Sequence, residues 1–346
     1  MKTIAIEVPL VFDHIGFDTD DEYDRVEPVR VAFWKDEIKS LSVFTYEHAG
    51  CSIRTTIDWA PVAARIQKSS EIWSPIYRGQ EADIEAYQRL PKQTLSSVLV
   101  EITGENDHSG HPWYPRYFAE LALYDAFICA NIAFPGSLNL YSAHIPASGE
   151  NVVQTELRLS SYNFEFWWVE SLRGHFPKLR QIPLKEVREW YAISRVGGQS
   201  RAQSGLERAV FCLFHLCRSD NYIDGIIWIF HALEALLETR VGENISGMLR
   251  RISLLVEMSE REKKALKKKL KHAYDLRSAF VHGGYEVPHP LHNEVIDPTL
   301  GHNYGEALEL QQFGMALILS LLQQLVRLRA TKYHFREVFV PHVGAP

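Results

Sequence analysis

Residues 259–284 read SEREKKALKKKLKHAYDLRSAFVHGG, and the way this stretch is taken decides the fold of the second half of the chain. Ser259 with Glu262 three residues on is the signature of a capped helix start. Gly283 and Gly284 supply the stop. Between them Leu266, Leu270, Ala273, Arg277 and Phe280 recur at 4-3-4-3 spacing, the stripe of a helix with one buried face. Arg277 thus stands where the pattern reserves an apolar residue. The lysines Lys263, Lys264, Lys267, Lys268, Lys269 and Lys271 mostly fall off the stripe, as a solvated face does.

The helical period extends outward on both sides. LERAVFCLFHLCR (206–218), NYIDGIIWIFHALEALLET (221–239), ISGMLRRISLLVEM (245–258) and EALELQQFGMALILSLLQQLVRLR (306–329) each carry an apolar stripe. Consecutive amphipathic helices with short connections predict an all-α helical bundle over 205–346. Upstream, PLKEVREWYAIS (183–194) predicts a short helix and RVGGQSRAQSG a polar linker, so 183–204 is a connecting segment. Residues 1–182 mix signals. TIAIEV (3–8), VRVAFW (29–34), SLSVFTY (40–46), SSVLVEI (96–102), VVQTELRLS (152–160) and FEFWWVE (164–170) are β-branched and aromatic runs that predict strands. Among them PRYFAELALYDAFICAN (115–131) has helical spacing through Phe118, Leu121, Tyr124 and Ile128. The expected fold is an α+β N-terminal domain followed by the helical bundle.

The 346 residues are 46% apolar and 23% charged, as in ordinary globular proteins, with a net charge of −6. The charge is uneven: residues 1–200 hold 19 Lys+Arg against 27 Asp+Glu, residues 201–346 hold 18 against 16. Any polyanion contact is therefore expected in the second half. Four scattered cysteines exclude a disulfide framework or zinc ribbon, and Cys212 and Cys217 lie in an apolar helical run that predicts core positions. The start shows no signal-peptide pattern, and the longest apolar run, MALILSLL (315–322), is too short for a membrane span. A cytoplasmic protein with no membrane association is expected.

In the helix before the lysine-rich one, Ile223, Ile227, Phe230, Glu234 and Leu237 form a stripe that Glu234 interrupts. A carboxylate in a bundle core needs a partner, since an unpaired buried charge costs several kcal/mol. Arg277 is a candidate, with Arg250 and Arg251 competing, and a Glu–Arg pair that only fixes helix register is the structural alternative. His282 ends the lysine-rich helix, where the dipole favours a protonated imidazole. On an ideal helix Arg277 and His282 are rotated by ~140° from one another. They converge only if the helix stops near His282 and Arg277 reaches past the last turn.

RSAFVH (277–282), followed by Gly283, resembles the Arg-x4-6-His motif of HEPN domains, and HALEALLETR (231–240) resembles their Apea-like branch. The resemblance covers roughly residues 205–330 and leaves the first 180 unmatched. It implies a metal-independent endoribonuclease, with no metal or cofactor. Arg277 would hold the scissile phosphate, His282 would move the proton, and Glu234 would orient Arg277. Ser278 would add a hydroxyl contact, although relatives often carry a more ionisable residue there. Because the attacking group would be the RNA's own 2′-hydroxyl, DNA would not be cut. The resemblance further implies a homodimer through the C-terminal bundle, with Lys267, Lys268, Lys271, Arg250 and Arg251 as candidate RNA contacts. A role as toxin or antiviral defence effector, held by a regulatory or antitoxin partner or by the N-terminal domain, follows the same analogy. The rival is a non-catalytic HEPN dimerisation module that binds RNA or nucleotide without cutting. A third possibility makes the chain an interaction scaffold.

ENDHSGHPWY (105–114) places His108 and His111 near Glu105 and Asp107, and PHPLHNE holds His289 and His292. Neither offers four apparent ligands, so both predict polar loops, the second at the rim of the candidate cleft.

Overall fold

Three of the runs read as strands enter the sheet, joined by a fourth strand over residues 51–57 that none of them covers. The computed structural model describes residues 2–11, 20–80, 83–91, 93–105, 113–141, 143–145, 155–194, 196, 200–218, 223–239, 245–287, 289, 291 and 295–336. Strands β1 (Lys2–Val11), β2 (Val43–His48), β3 (Cys51–Ile57) and β4 (Gln93–Gly104) form an antiparallel sheet in the order β1-β4-β3-β2. Val98, Val100 and Ile102 of β4 face inward with Cys51, Ile53 and Ile57 of β3, while Leu95 and Leu99 face out. This is the alternation of a sheet with one covered face. Ala49 and Gly50 both have positive φ, giving the two-residue turn that matches the twist of the β2–β3 hairpin.

Helices α1 (Asp20–Ala32), α2 (Ala60–Tyr77), α3 (Ile84–Arg89) and α4 (Trp113–Ala133) accompany the sheet. A short ribbon, β5 (His144–Ile145) and β6 (Thr155–Glu156), follows. The remainder is helical: α5 (Tyr162–Leu172), α6 (Leu184–Ser194), α7 (Gly205–Arg218), α8 (Asp224–Leu236), α9 (Ile245–Leu255), α10 (Glu260–Val281) and α11 (Thr299–Leu328).

Three expected strands are corrected. VRVAFW closes α1 and passes into a π turn over Phe33–Glu37. Its inner face is Tyr23, Val26, Glu27, Arg30, Phe33 and Trp34, all buried, with Arg30 making two bonds to the Glu27 carboxylate at 2.8 Å. A buried ion pair inside the stripe disguised the helical period. FEFWWVE lies in α5, where Phe164, Trp167 and Trp168 turn inward at helical spacing; a continuous aromatic run carries no period of its own. Of VVQTELRLS, only Thr155–Glu156 are strand, with a bridge from Leu159 to Leu140; residues 151–154 lie outside those described.

Buried side chains from Val8 to Tyr333 join in one hydrophobic core. At its centre runs α11, whose Met315–Leu319, Leu321 and Leu322 are fully buried. Among the described residues no helix is long and apolar enough to cross a membrane. The segment 183–204 supplies α6, which ties both halves together: Leu184 N–H donates to Glu37 Oε2 at 2.8 Å and Trp190 Nε1 to Ala330 O at 2.7 Å. All four cysteines are free and buried.

Helices α8 and α11 cross closely through two glycines. A Cβ on Gly314 would stand 2.6 Å from Ile229 Cδ1, and one on Gly225 2.6 Å from Gln311 Oε1. Gly314→Ala therefore overpacks the crossing and lowers the unfolding free energy by about 1–3 kcal/mol. Gly305→Ala in the same helix meets nothing within 4 Å and raises it by about 0.5–1 kcal/mol. Urea unfolding of the two variants checks the contrast.

Candidate functional site

The capping box at the start of α10 forms in both directions: Ser259 Oγ accepts from Glu262 N–H at 3.3 Å, and the Glu262 carboxylate accepts from Ser259 N–H at 2.6 Å. Leu266, Leu270 and Ala273 are buried, and Arg277 and Phe280 continue their stripe half-buried. At the far end His282 is the C-cap residue, and its N–H donates to Ser278 O at 3.0 Å. Gly283 is left-handed at φ 76°. Gly284 N–H reaches Ala279 O at 2.8 Å and Gly283 N–H reaches Phe280 O at 3.4 Å, which together make a Schellman motif. A Cβ on Gly283 meets no atom within 4 Å, so Gly283→Ala carries only the left-handed backbone penalty of about 1–2 kcal/mol. Gly284→Ala, without positive φ, stays within about 0.5 kcal/mol. Thermal unfolding separates them.

Arg277 leaves α10 toward α8. Its guanidinium lies over the Phe230 ring, 5.4 Å from the centroid, and Nη1 is 3.5 Å from Glu234 Oε1. Phe230 and Glu234 are one helical turn apart, so the ring and the carboxylate form one seat for the cation. The Nε of Arg277 is buried without a hydrogen-bond partner. The side chains of Arg277 and Glu234 keep 30% and 38% of their surface exposed, so this is a rim pair, not one sunk in a core. The expected stripe of α8 is corrected accordingly. Its buried face runs through Ile226, Ile229, Phe230, Leu233, Leu236 and Leu237, while Ile223, Ile227 and Glu234 flank it. Isoleucines on several sides of α8 had left the inner face ambiguous.

The other candidates are dispersed. The His282 side chain is exposed, and no hydrogen bond or ion pair joins it to Arg277. Ser278, half-buried, shares the outer face of α10 with His282 at i, i+4. Lys264, Lys267, Lys268 and Lys271 are exposed, whereas Lys263 pairs with Glu260 and Lys269 with Glu309, both at 2.7 Å. Arg250 is exposed on α9. Arg251 is drawn inward, donating to Leu237 O at 2.8 Å and lying over Phe335, so it is not an exposed cation. His289 is exposed; His292, His108, His111 and Asp107 lie outside the described residues. Among the described residues no group of His, Cys, Asp and Glu could hold a metal ion. A space of about 550 Å³ borders Glu234 from the α7 side, lined also by Arg208 and Lys332.

One cluster escaped the sequence reading. Asp125 is buried in α4 and accepts from Tyr46 Oη of β2 at 2.8 Å and from Tyr191 Oη of α6 at 2.6 Å. Burial raises its pKa to about 7 against the lowering effect of the two hydroxyls and of Arg188. The signal was present in ALYDAFICA (122–130), a charged residue inside an otherwise apolar helix.

No protein-family profile matches the chain, and no curated protein or solved structure matches it. The functional assignment therefore rests on these side chains.

Proposed function

We propose that the chain is a metal-independent endoribonuclease of HEPN type, with Arg277 and His282 as its working pair. The observation that carries this is the seat of Arg277: a guanidinium held by Glu234 and Phe230, on a helix that stops five residues later at an exposed histidine. A planar, permanently charged group suits the two non-bridging oxygens of a phosphodiester. The 2′-hydroxyl attacks the adjacent phosphorus, its proton passes to a base, and the 5′-oxygen leaves with a proton from an acid. His282 serves as one of these. The products are a 2′,3′-cyclic phosphate and a 5′-hydroxyl end, with no water consumed in this step.

One chain supplies one such pair, and a second copy would supply the other half of the proton traffic. Val281 within the motif and Val287, Leu291, Val295 and Ile296 after it are from 57% to 91% exposed, and such apolar side chains offer a surface that a second copy would cover. The toxin or antiviral role, and control by the N-terminal half or a separate partner, belong to the same proposal. The apolar surface equally favours a second function, a dimerisation module that binds RNA without cutting. Incubating the chain in EDTA with an oligoribonucleotide and its 2′-deoxy counterpart tests both. Cleavage of the ribo strand alone, leaving cyclic phosphate ends, is expected. Binding without cleavage of either strand sinks the enzymatic proposal in favour of the second.

A further inference from the structure

A cavity of about 740 Å³ lies at the capped start of α10, about 30 Å along that helix from His282. Its walls are the α9–α10 turn, the last turns of α11 and the loop between α5 and α6. The volume falls within the usual range for a small-molecule site. Lys178, Arg180 and Arg327 all line it.

Several arginines of the chain are neutralised by an acid. Arg30, Arg116, Arg173 and Arg277 each pair with a carboxylate. Among the described residues neither Arg180 nor Arg327 has a carboxylate partner, and Lys178 only adds its field to Glu262. The Glu262 carboxylate is turned back into the capping box, on Ser259 N–H and Oγ, both at 2.6 Å. Arg180 is fixed by its backbone. Gln323, 2% exposed, accepts from Arg180 N–H at 2.9 Å and donates to Arg180 O at 2.6 Å, while also donating to Ile132 O at 2.9 Å. A buried amide thus holds an unpaired arginine at the cavity mouth. Arg327 comes from the last turn of α11 and touches Gln324 Oε1 at 3.3 Å. Leu255, Val256 and Met258 add apolar side chains to the lining.

We propose that this cavity binds a phosphate ester of nucleotide size, with Arg180, Arg327 and Lys178 receiving the phosphate and the Leu255–Met258 wall covering its less polar part. Forked guanidinium groups match phosphate oxygens in pairs. Glu257 lines the same space and opposes the phosphate, so it sets a limit on how much negative charge is accepted. The site is separate from Arg277 and His282 and stands whether or not that pair cuts RNA. The phosphate comes either from a free nucleotide or from the end of an RNA strand.

Calorimetric titration of the full chain tests this with ADP, inorganic phosphate, and a 2′-O-methylated pentanucleotide with or without a 5′-phosphate. Saturable binding of ADP is expected, weakened at least tenfold by Arg180→Ala or Arg327→Ala and tightened several-fold by Glu257→Gln. Lys332→Ala, at the separate space beside Glu234, leaves it unchanged. Binding of the 5′-phosphorylated strand but not ADP supports the same phosphate site and assigns it to RNA ends. Absence of saturable binding by every probe at millimolar concentration overturns the proposal. So does an affinity unmoved in the Arg180→Ala, Arg327→Ala double variant while its thermal unfolding matches the parent.

Discussion

Replacing either Arg277 or His282 by alanine lowers RNA cleavage by about 10²–10⁴-fold, and the double variant falls little further than the weaker single one. The magnitude follows from the tasks in the proposed reaction. Arg277 offsets charge that grows on the phosphate oxygens, and His282 moves a proton that must leave as the bond forms. Neither task survives loss of the other, so their effects do not add. Arg277→Lys keeps the charge but loses the fork, and is expected to recover only a small part of the rate. Glu234→Gln is milder, because Phe230 still supports the guanidinium at 5.4 Å. Folding is not the route to these losses. The Arg277–Glu234 pair is 3.5 Å apart and about one-third exposed, and such pairs contribute up to about 1 kcal/mol. Unchanged circular dichroism with lost cleavage is the expected result. Full cleavage in both alanine variants removes Arg277 and His282 from the chemistry.

The helical half of the chain was legible because its signals agree. In α10 the capping box, the 4-3-4-3 stripe and the double glycine all specify one helix, and it runs Glu260–Val281 between them. The seat of Arg277 was legible in part. Two charged interruptions, one on each of two helices, suggested a partnership, but sequence spacing cannot rank Arg277 against Arg250 and Arg251. Packing does so by turning Arg251 inward onto Leu237 O. The N-terminal half was less legible for a related reason. In α1 the apolar face buries Glu27 with Arg30, which breaks the period that would reveal the helix, whereas α4 kept its helical spacing although Asp125 lies within it. The cavity at the start of α10 had no sequence signature, since Lys178, Arg180 and Arg327 come from a loop and a distant helix that meet only in the folded chain.

The two proposed sites lie at opposite ends of α10. His282 caps the C-terminal end, five residues beyond Arg277, and the cavity proposed for a phosphate lies at the capped N-terminal end. The exposed lysines between them, Lys264, Lys268 and Lys271, lie on the same face as His282 by helical spacing. A strand following that face would keep its backbone over positive charge until it reached the histidine. The other face is taken up by Leu266, Leu270 and Ala273, so the helix cannot tilt without uncovering its core contacts.

Between pH 4 and pH 8 Asp125 alone makes the chain about 4 kcal/mol less stable, and Asp125→Asn removes that dependence. The sign follows from where the proton is held. The folded chain raises the Asp125 pKa from 3.8 to about 7, so well below pH 3.8 both folded and unfolded states are protonated there and the stability is fully present. As pH rises, the unfolded carboxyl ionises first, and stability falls until the folded group also ionises near pH 7. Burial is the cause, since the bonds from Tyr46 and Tyr191 and the field of Arg188 all act in the opposite direction. The Cys129 thiol nearby is itself pushed well up by burial and by Asp125. Asparagine retains the shape and one acceptor oxygen, and its amide can donate to the other tyrosine oxygen. Its charge cannot change, so the difference in unfolding free energy between parent and variant isolates this one group from the many surface carboxylates. Chemical unfolding of both at pH 5 and pH 8 reads it directly: the variant gains on the parent as pH rises. A difference that stays flat across that range means the carboxyl is already ionised in the folded chain at pH 5. Tyr191→Phe gives the opposite displacement. It removes the 2.6 Å donor that favours the carboxylate, so the proton is held to higher pH and the loss of stability at pH 8 deepens. Because that hydroxyl belongs to α6 and the carboxylate to α4, the same pair of variants also measures how firmly the two helices are joined.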